Sequence, residues 1–228
     1  MMLGTVSPVP SKPTCSNDGP KRRKPGRPRA GTLVADRSEV IAAAVELIRS
    51  NGPDVTMDEV ADAAGVSKPI VYRNLGDKLA LVIALSEIFV ERLNDVVERA
   101  VVATPHGRAS FASGVRAALE LIDEDRNLFL FVTAGGPGTG TVQRLVERSS
   151  ARMIEQFSAM RIAHGVDPAP ARTWAYATVG AIQIVAMMWL RNGDRTSDEV
   201  TEDLTELMWP GITGARLRNE APGRPSTA

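Results

Sequence analysis

From Arg37 onward, apolar residues recur at three- and four-residue intervals, the period of helices that bury one face. Ile41, Ala44, Val45 and Ile48 mark such a face between Arg37 and Asn51. Leu81, Val82, Leu85, Ile88, Phe89, Leu93, Val96 and Val97 do the same between Asp77 and about Val101, which predicts one long helix. Further helices are expected at about 108 to 123, 126 to 133, 141 to 164, 168 to 192 and 197 to 208. Pro105, the run Gly135-Gly136-Pro137-Gly138-Thr139-Gly140, Gly165 to Pro170 and Asn192-Gly193-Asp194 mark the breaks. No convincing strand pattern appears. With two short helices between residues 56 and 75, the expectation is an all-α chain of about nine helices.

The two short helices are read from their caps. Thr56 followed three positions later by Glu59 is a capping box, so a helix begins there. Val60, Ala61 and Ala64 lie on one face, small enough for a close crossing, and Gly65 supplies the left-handed residue that ends it. Ser67 is expected to cap the next helix, Pro69 sits in its first turn, and Val71 and Leu75 form its buried side. Lys68, Pro69, Ile70, Tyr72, Arg73 and Asn74 are left facing outward. In a helix-turn-helix the second helix enters the major groove. Pro69 and Ile70 can press on a thymine methyl, Arg73 can donate to guanine or phosphate, and Ser67, Lys68, Tyr72 and Lys78 can hold phosphates. A plain helical hairpin with a solvated outer face is the alternative from these caps alone.

Read with the helix over Arg37 to Asn51, the segment resembles the three-helix DNA-binding domain of the TetR family of transcriptional regulators. The resemblance rests on Ala64-Gly65-Val66-Ser67-Lys68-Pro69, then Val71-Tyr72, and Lys78 six positions after the tyrosine, and it covers roughly Arg37 to Leu85. Leu75 stands where the family usually has an aromatic residue, a departure that bears on packing against the first helix. The resemblance implies phosphate contacts from Thr56, Ser67, Tyr72 and Lys78, and base contacts from Lys68, Pro69, Ile70 and Arg73. It divides the chain into a DNA-binding domain at 34 to 94, with the helix-turn-helix at 56 to 75, and an effector-binding and dimerisation domain at 95 to 216.

The net charge of zero, 27 basic against 27 acidic side chains, conceals an asymmetry. Residues 1 to 31 hold seven basic and one acidic side chain, whereas residues 32 to 80 hold five and eight. A net acidic reading domain draws little nonspecific attraction from its own charge, so the arm is expected to supply much of the salt-dependent affinity. Residues 1 to 33 and 217 to 228 are expected to be disordered, being rich in Pro, Gly, Ser and charge with few large apolar groups. Within the arm, Lys21 to Arg29 resembles an AT-hook, with Arg27 at the centre of Gly26-Arg27-Pro28 entering a narrow A·T minor groove. The alternative is a basic tail that hovers near phosphate. Gly223-Arg224-Pro225 repeats the tripeptide without flanking basic residues and is read as tail.

Enzymatic chemistry finds no support. The glycine-rich run has neither a preceding strand nor a following Lys-Ser/Thr, so it fails as a nucleotide loop and is expected to be an interhelical loop beside a pocket. Cys15 is alone, and His106 and His164 have no partner at metal-ligand spacing, so neither metal nor cofactor is expected. Asp123-Glu124-Asp125 most simply caps the helix starting near Arg126. The most apolar run, Ala175 to Leu190, is short for a membrane span and carries Tyr176, Thr178 and Gln183. With no signal peptide apparent, a cytoplasmic protein with no membrane partner is expected.

The remaining two thirds must bind something or pair with itself. The resemblance implies a homodimer through the last two long helices, with Ala177, Gly180 and Ala181 for close contact and Val200, Leu204 and Leu207 for apolar contact. Two recognition helices about 34 Å apart then read a palindromic double-stranded operator. Phe111, Leu119, Phe129, Phe131, Met153, Phe157, Trp174, Met187, Met188 and Trp189 are candidates to line a pocket for a hydrophobic small molecule, each with packed core as its alternative. Arg116 or Arg152 could hold an anionic head group. The expected function is a ligand-responsive repressor released by that effector. An activator of the same family, or an architectural A·T-rich DNA-binding protein without an effector, are the alternatives.

Overall fold

A computed structural model describes residues 36–133 and 141–214. Among them are nine α-helices and no strands: α1 (Arg37–Asn51), α2 (Met57–Ala63), α3 (Lys68–Leu75), α4 (Lys78–Val102), α5 (Arg108–Glu124), α6 (Arg126–Thr133), α7 (Thr141–Ala163), α8 (Ala171–Asn192) and α9 (Ser197–Gly214). The arm with Arg27, the glycine-rich run from Gly135 to Gly140 and the C-terminal tail lie outside the described residues.

Local chemistry accounts for the first three helices. Asp36 caps α1: its carboxylate accepts from the backbone of the first turn, and its own backbone N–H donates to the Glu39 carboxylate at 3.1 Å, a capping box that the sequence pattern was not read to contain. The buried stripe of α1 is Val40, Ala44 and Ile48, with Ile41 and Val45 at its margin, because i, i+4, i+8 spacing aims those three at the centre of the domain. α2 ends where Gly65 takes φ +65° and the Val66 N–H reaches back to the Ala61 carbonyl at 3.0 Å. Val60 and Ala61 of α2 then share a core with Val71 and Leu75 of α3 and with the stripe of α1. Leu75, at 4% exposure, fills its site without an aromatic ring.

α4 starts on Asp77, whose carboxylate accepts the Ala80 N–H at 2.9 Å, and runs from the DNA-reading helices into the second group. There α4 packs against α5 and α7, α7 against α8, and α5 against α9, while α6 fits between α1 and α4. α8 begins at Ala171 rather than 168, since Pro168 and Pro170 push the residues before them, Asp167 and Ala169, away from helical backbone. α9 continues to Gly214 rather than ending near 208. Pro210 withdraws one donor, but Ile212 is buried and Trp209 sets its ring 6.0 Å from that of Phe111, so tertiary contact outweighs the proline. By length and composition α8 could cross a membrane. Here it is the packing partner of α7, and its half-buried apolar residues face other helices.

Candidate DNA-reading surface and effector cavity

The N-terminus of α2 is built as the sequence predicts. The Thr56 hydroxyl accepts the Glu59 N–H at 3.3 Å, and the Thr56 N–H donates to the Glu59 carboxylate at 2.8 Å. These bonds hold the Glu59 carboxyl below its ordinary range, the bond from the Thr56 backbone contributing most. Ser67 differs from expectation: it occupies the N-cap position of α3 with extended backbone, but its side chain makes no cap bond. Its carbonyl accepts from Ile70 and Val71, so backbone groups open α3. The Ser67 hydroxyl is therefore not consumed by capping.

Of the residues assigned to DNA, Thr56, Ser67, Lys68, Pro69, Tyr72, Arg73 and Lys78 are exposed and Ile70 is half-buried. Tyr72 is 49% exposed, high for so large a ring. Two cations are engaged within the protein. Lys68 is ion-paired with Asp58 of α2, and this bond raises its pKa above the usual lysine value. Lys78 stands 5.9 Å from the centre of the Phe131 ring. Asp58 was not identified from sequence. Its position ten residues before Lys68 crosses a turn, outside the i, i+4 spacing that marks helical pairs.

The second group of helices encloses a cavity of about 770 Å³ between α4, α5, α7 and α8, with Phe129 from α6 and Trp209 from α9. Such a volume suits a drug-sized or lipid-like molecule. Phe111, Phe129, Phe157 and Met153 line it. Phe131 does not: one hundred degrees of helical rotation per residue turns it away from Phe129, into the core beneath Lys78. Trp174 stands behind Phe157, edge to face at 6.1 Å, with the Arg161 guanidinium 4.5 Å from its ring. Leu119 is fully buried core, and Met187 packs at the margin of that core. Met188 and Trp189 border a separate outer groove with Ile184, Leu204 and Leu207.

Neither arginine considered for an anionic head group reaches the cavity. Arg116 pairs with Asp198, and Arg152 with Asp95 and Glu98. Among the described residues, the titratable groups on the lining are His106 and His164, both exposed, where α5 begins and α7 ends. At the opposite end lie Phe89, Ile122 and Phe129, the two phenyl rings 5.8 Å apart. Asp125 sits between Ile122 and Phe129 in the chain and is 4% exposed. Rather than capping by its side chain, it receives Arg49 of α1 and Arg92 of α4. Its backbone carbonyl still accepts the Phe129 N–H at 2.9 Å. The inner wall of the cavity is thus tied to α1, the helix packed behind the helix-turn-helix.

A capped helix-turn-helix joined by one long helix to a bundle around an apolar cavity defines a class: a DNA-binding regulator with an internal ligand chamber. Residues 40–85 match the family model described as bacterial regulatory proteins, tetR family. An uncharacterized HTH-type transcriptional regulator of Mycobacterium tuberculosis is 30% identical over 88% of this chain and 85% of its own length. The HTH-type transcriptional activator FasR of Mycolicibacterium smegmatis is 27% identical over 90% of this chain and 96% of its own. The structure of the transcriptional regulator FadR from Bacillus subtilis in complex with stearoyl-CoA superimposes with a TM-score of 0.55, at 18% identity, over 76% of this chain and 98% of that one. The chain belongs to the TetR family of transcriptional regulators.

Proposed function

We propose that this regulator is a homodimer that reads a palindromic operator and changes its hold on DNA when an apolar, acyl-type small molecule fills the cavity. The observation that carries the reading is the junction at Asp125, where the cavity lining and the ion pair to α1 come from one helix corner. A ligand shifts DNA affinity only by binding two conformations unequally, and a filled inner chamber acts on that corner. Stearoyl-CoA in the related fold of FadR supports a long acyl chain as the ligand class. Thr56, Ser67, Tyr72 and Lys78 hold phosphates, and Lys68, Pro69, Ile70 and Arg73 face bases, while Arg27 in the basic arm adds minor-groove grip. The outer groove of α8 and α9, with Ile184 at 49% and Leu207 at 76% exposure, forms the two-fold interface. The protein acts in the cytoplasm and carries no catalytic role.

Repression follows from operator occupancy by the empty dimer. The activator reading is the second, favoured by the kinship to FasR. Selection of binding sites from genomic DNA, followed by titration of the recovered site with long-chain acyl-CoA, tests the proposal. A palindromic site released by ligand is the expected result of the first reading. A site held more tightly with ligand supports activation, and recovery of any A·T-rich DNA without a defined site overturns both.

A further inference from the structure

The cavity wall is mostly apolar, and of the polar side chains on it, Asn94, Ser149, Gln156 and Thr178 among them, Gln183 is the one with a shielded polar atom left unsatisfied. Gln183 of α8 lines the chamber, is 8% exposed, and its Nε2 nitrogen is shielded from water without a hydrogen-bond partner. Buried amides are ordinarily paired, so an orphan in a ligand chamber marks a bond kept for the ligand. Rotation about the last side-chain bond exchanges the amide's two ends, so Gln183 can offer the chamber either a donor or an acceptor.

Its position sets the geometry. Gln183 lies twelve residues along α8 from Ala171, about 18 Å at 1.5 Å per residue, and α8 begins just beyond the α7 end that carries His164. A chain entering tail-first leaves its head group between His106 and His164 and passes Gln183 in mid-length. No Lys or Arg among the described residues lines the chamber, so a charged group at that depth would be buried without a partner from them.

We propose that Gln183 selects effectors carrying an uncharged oxygen function, a hydroxyl or ketone, partway along an otherwise apolar chain. This rests on the reading of the cavity as an acyl-type effector site. Among simple acyl chains, a plain saturated one leaves the amide unsatisfied, whereas an oxygenated one pairs it.

The full-length protein is titrated with stearic acid and with hydroxystearic acids whose hydroxyl is moved along the chain, read by tryptophan fluorescence, to which Trp209 on the cavity wall contributes. One hydroxyl position is expected to bind on the order of tenfold more tightly than stearic acid. Gln183→Met and Gln183→Leu are expected to lose that preference while binding stearic acid at least as well. Equal affinity across the series in the wild type, or a preference that survives in a folded variant, overturns the role of Gln183 and leaves the effector cavity standing. Failure of every fatty acid and of stearoyl-CoA to bind overturns the cavity reading and this inference together. Methionine and leucine differ in shape, so the second variant carries the test if the first fails to fold.

Discussion

Arg49 of α1 and Asp125 at the α5–α6 corner, 76 positions apart in the chain, are joined by two parallel hydrogen bonds, Nε to Oδ1 and NH2 to Oδ2, each 2.7 Å long. Asn127 adds a third tie, donating from its side-chain amide to the Arg49 carbonyl at 2.9 Å. The bond to Asp125 is the largest influence raising the Arg49 pKa, and the planar fork fixes the angle at which α1 meets the bundle. Ile122 and Phe129 on either side of Asp125 line the cavity.

Removing that charge tests stability and signalling together. Asp125→Asn leaves Arg49 and Arg92 facing a neutral amide in a site that is 4% exposed on the acidic side. Thermal unfolding should show a loss of about 2 kcal/mol. Operator titration with and without ligand should show the ratio of the two affinities falling toward one. An unchanged ratio would remove the corner from the signalling path.

Acid should loosen the start of α2. The Glu59 carboxyl is held below its ordinary range by the Thr56 N–H, so the native state binds its proton more weakly than the unfolded chain. The cap's contribution is therefore complete above the unfolded carboxylate pKa and disappears as pH falls through the lower, native value. Glu199, held by Thr196 at the start of α9, behaves alike. In Glu59→Gln the acid-side slope of stability should be shallower than in wild type, while helix content at neutral pH stays the same.

On the proposed DNA-reading surface, Asp58 holds Lys68 in an ion pair that a phosphate or base contact would have to replace. Asp58→Asn should bind operator a few-fold more tightly, with a salt dependence steeper by roughly one counterion. Arg73→Ala should do the reverse, losing about 1 to 3 kcal/mol and relaxing preference at one base position if it faces guanine. Mobility-shift titrations at two salt concentrations separate these effects.

The exposed leucine of α9 tests assembly. Leu207, 76% exposed, borders the outer groove with Ile184 and Met188. Leu207→Glu places charge on that face at little cost to the isolated fold. Light scattering should show a monomer with unchanged helix content, and operator affinity should fall on the order of a hundredfold as the second half-site contact is lost. A variant that remains dimeric would move the interface elsewhere.

The elements legible in the sequence are those whose determinants lie within a few residues of one another. Thr56 and Glu59 close a box across one turn, Gly65 adopts the left-handed conformation its neighbours require, and Val71 with Leu75 declares the inner side of α3. The last turns of α9 lie outside that range: Pro210 as a local signal stops a helix, whereas Ile212 is buried and Trp209 packs on Phe111, distant in the chain. Ser67 carried a capping signal that the backbone geometry did not use.

By itself the sequence determined an all-α chain with a capped helix-turn-helix and an outward face of Lys68, Tyr72 and Arg73, because helix starts, turns and faces obey short-range geometry. Tertiary structure alone decided that Phe129 borders a chamber and Phe131 does not, that Arg116 and Arg152 are spent on surface carboxylates, and that Asp125 binds two arginines rather than capping with its side chain. It also decided that Gln183 faces a cavity without a partner. A cavity is the space left between helices far apart in sequence, so no residue encodes it, and an ion pair across 76 positions exists only once those helices have met.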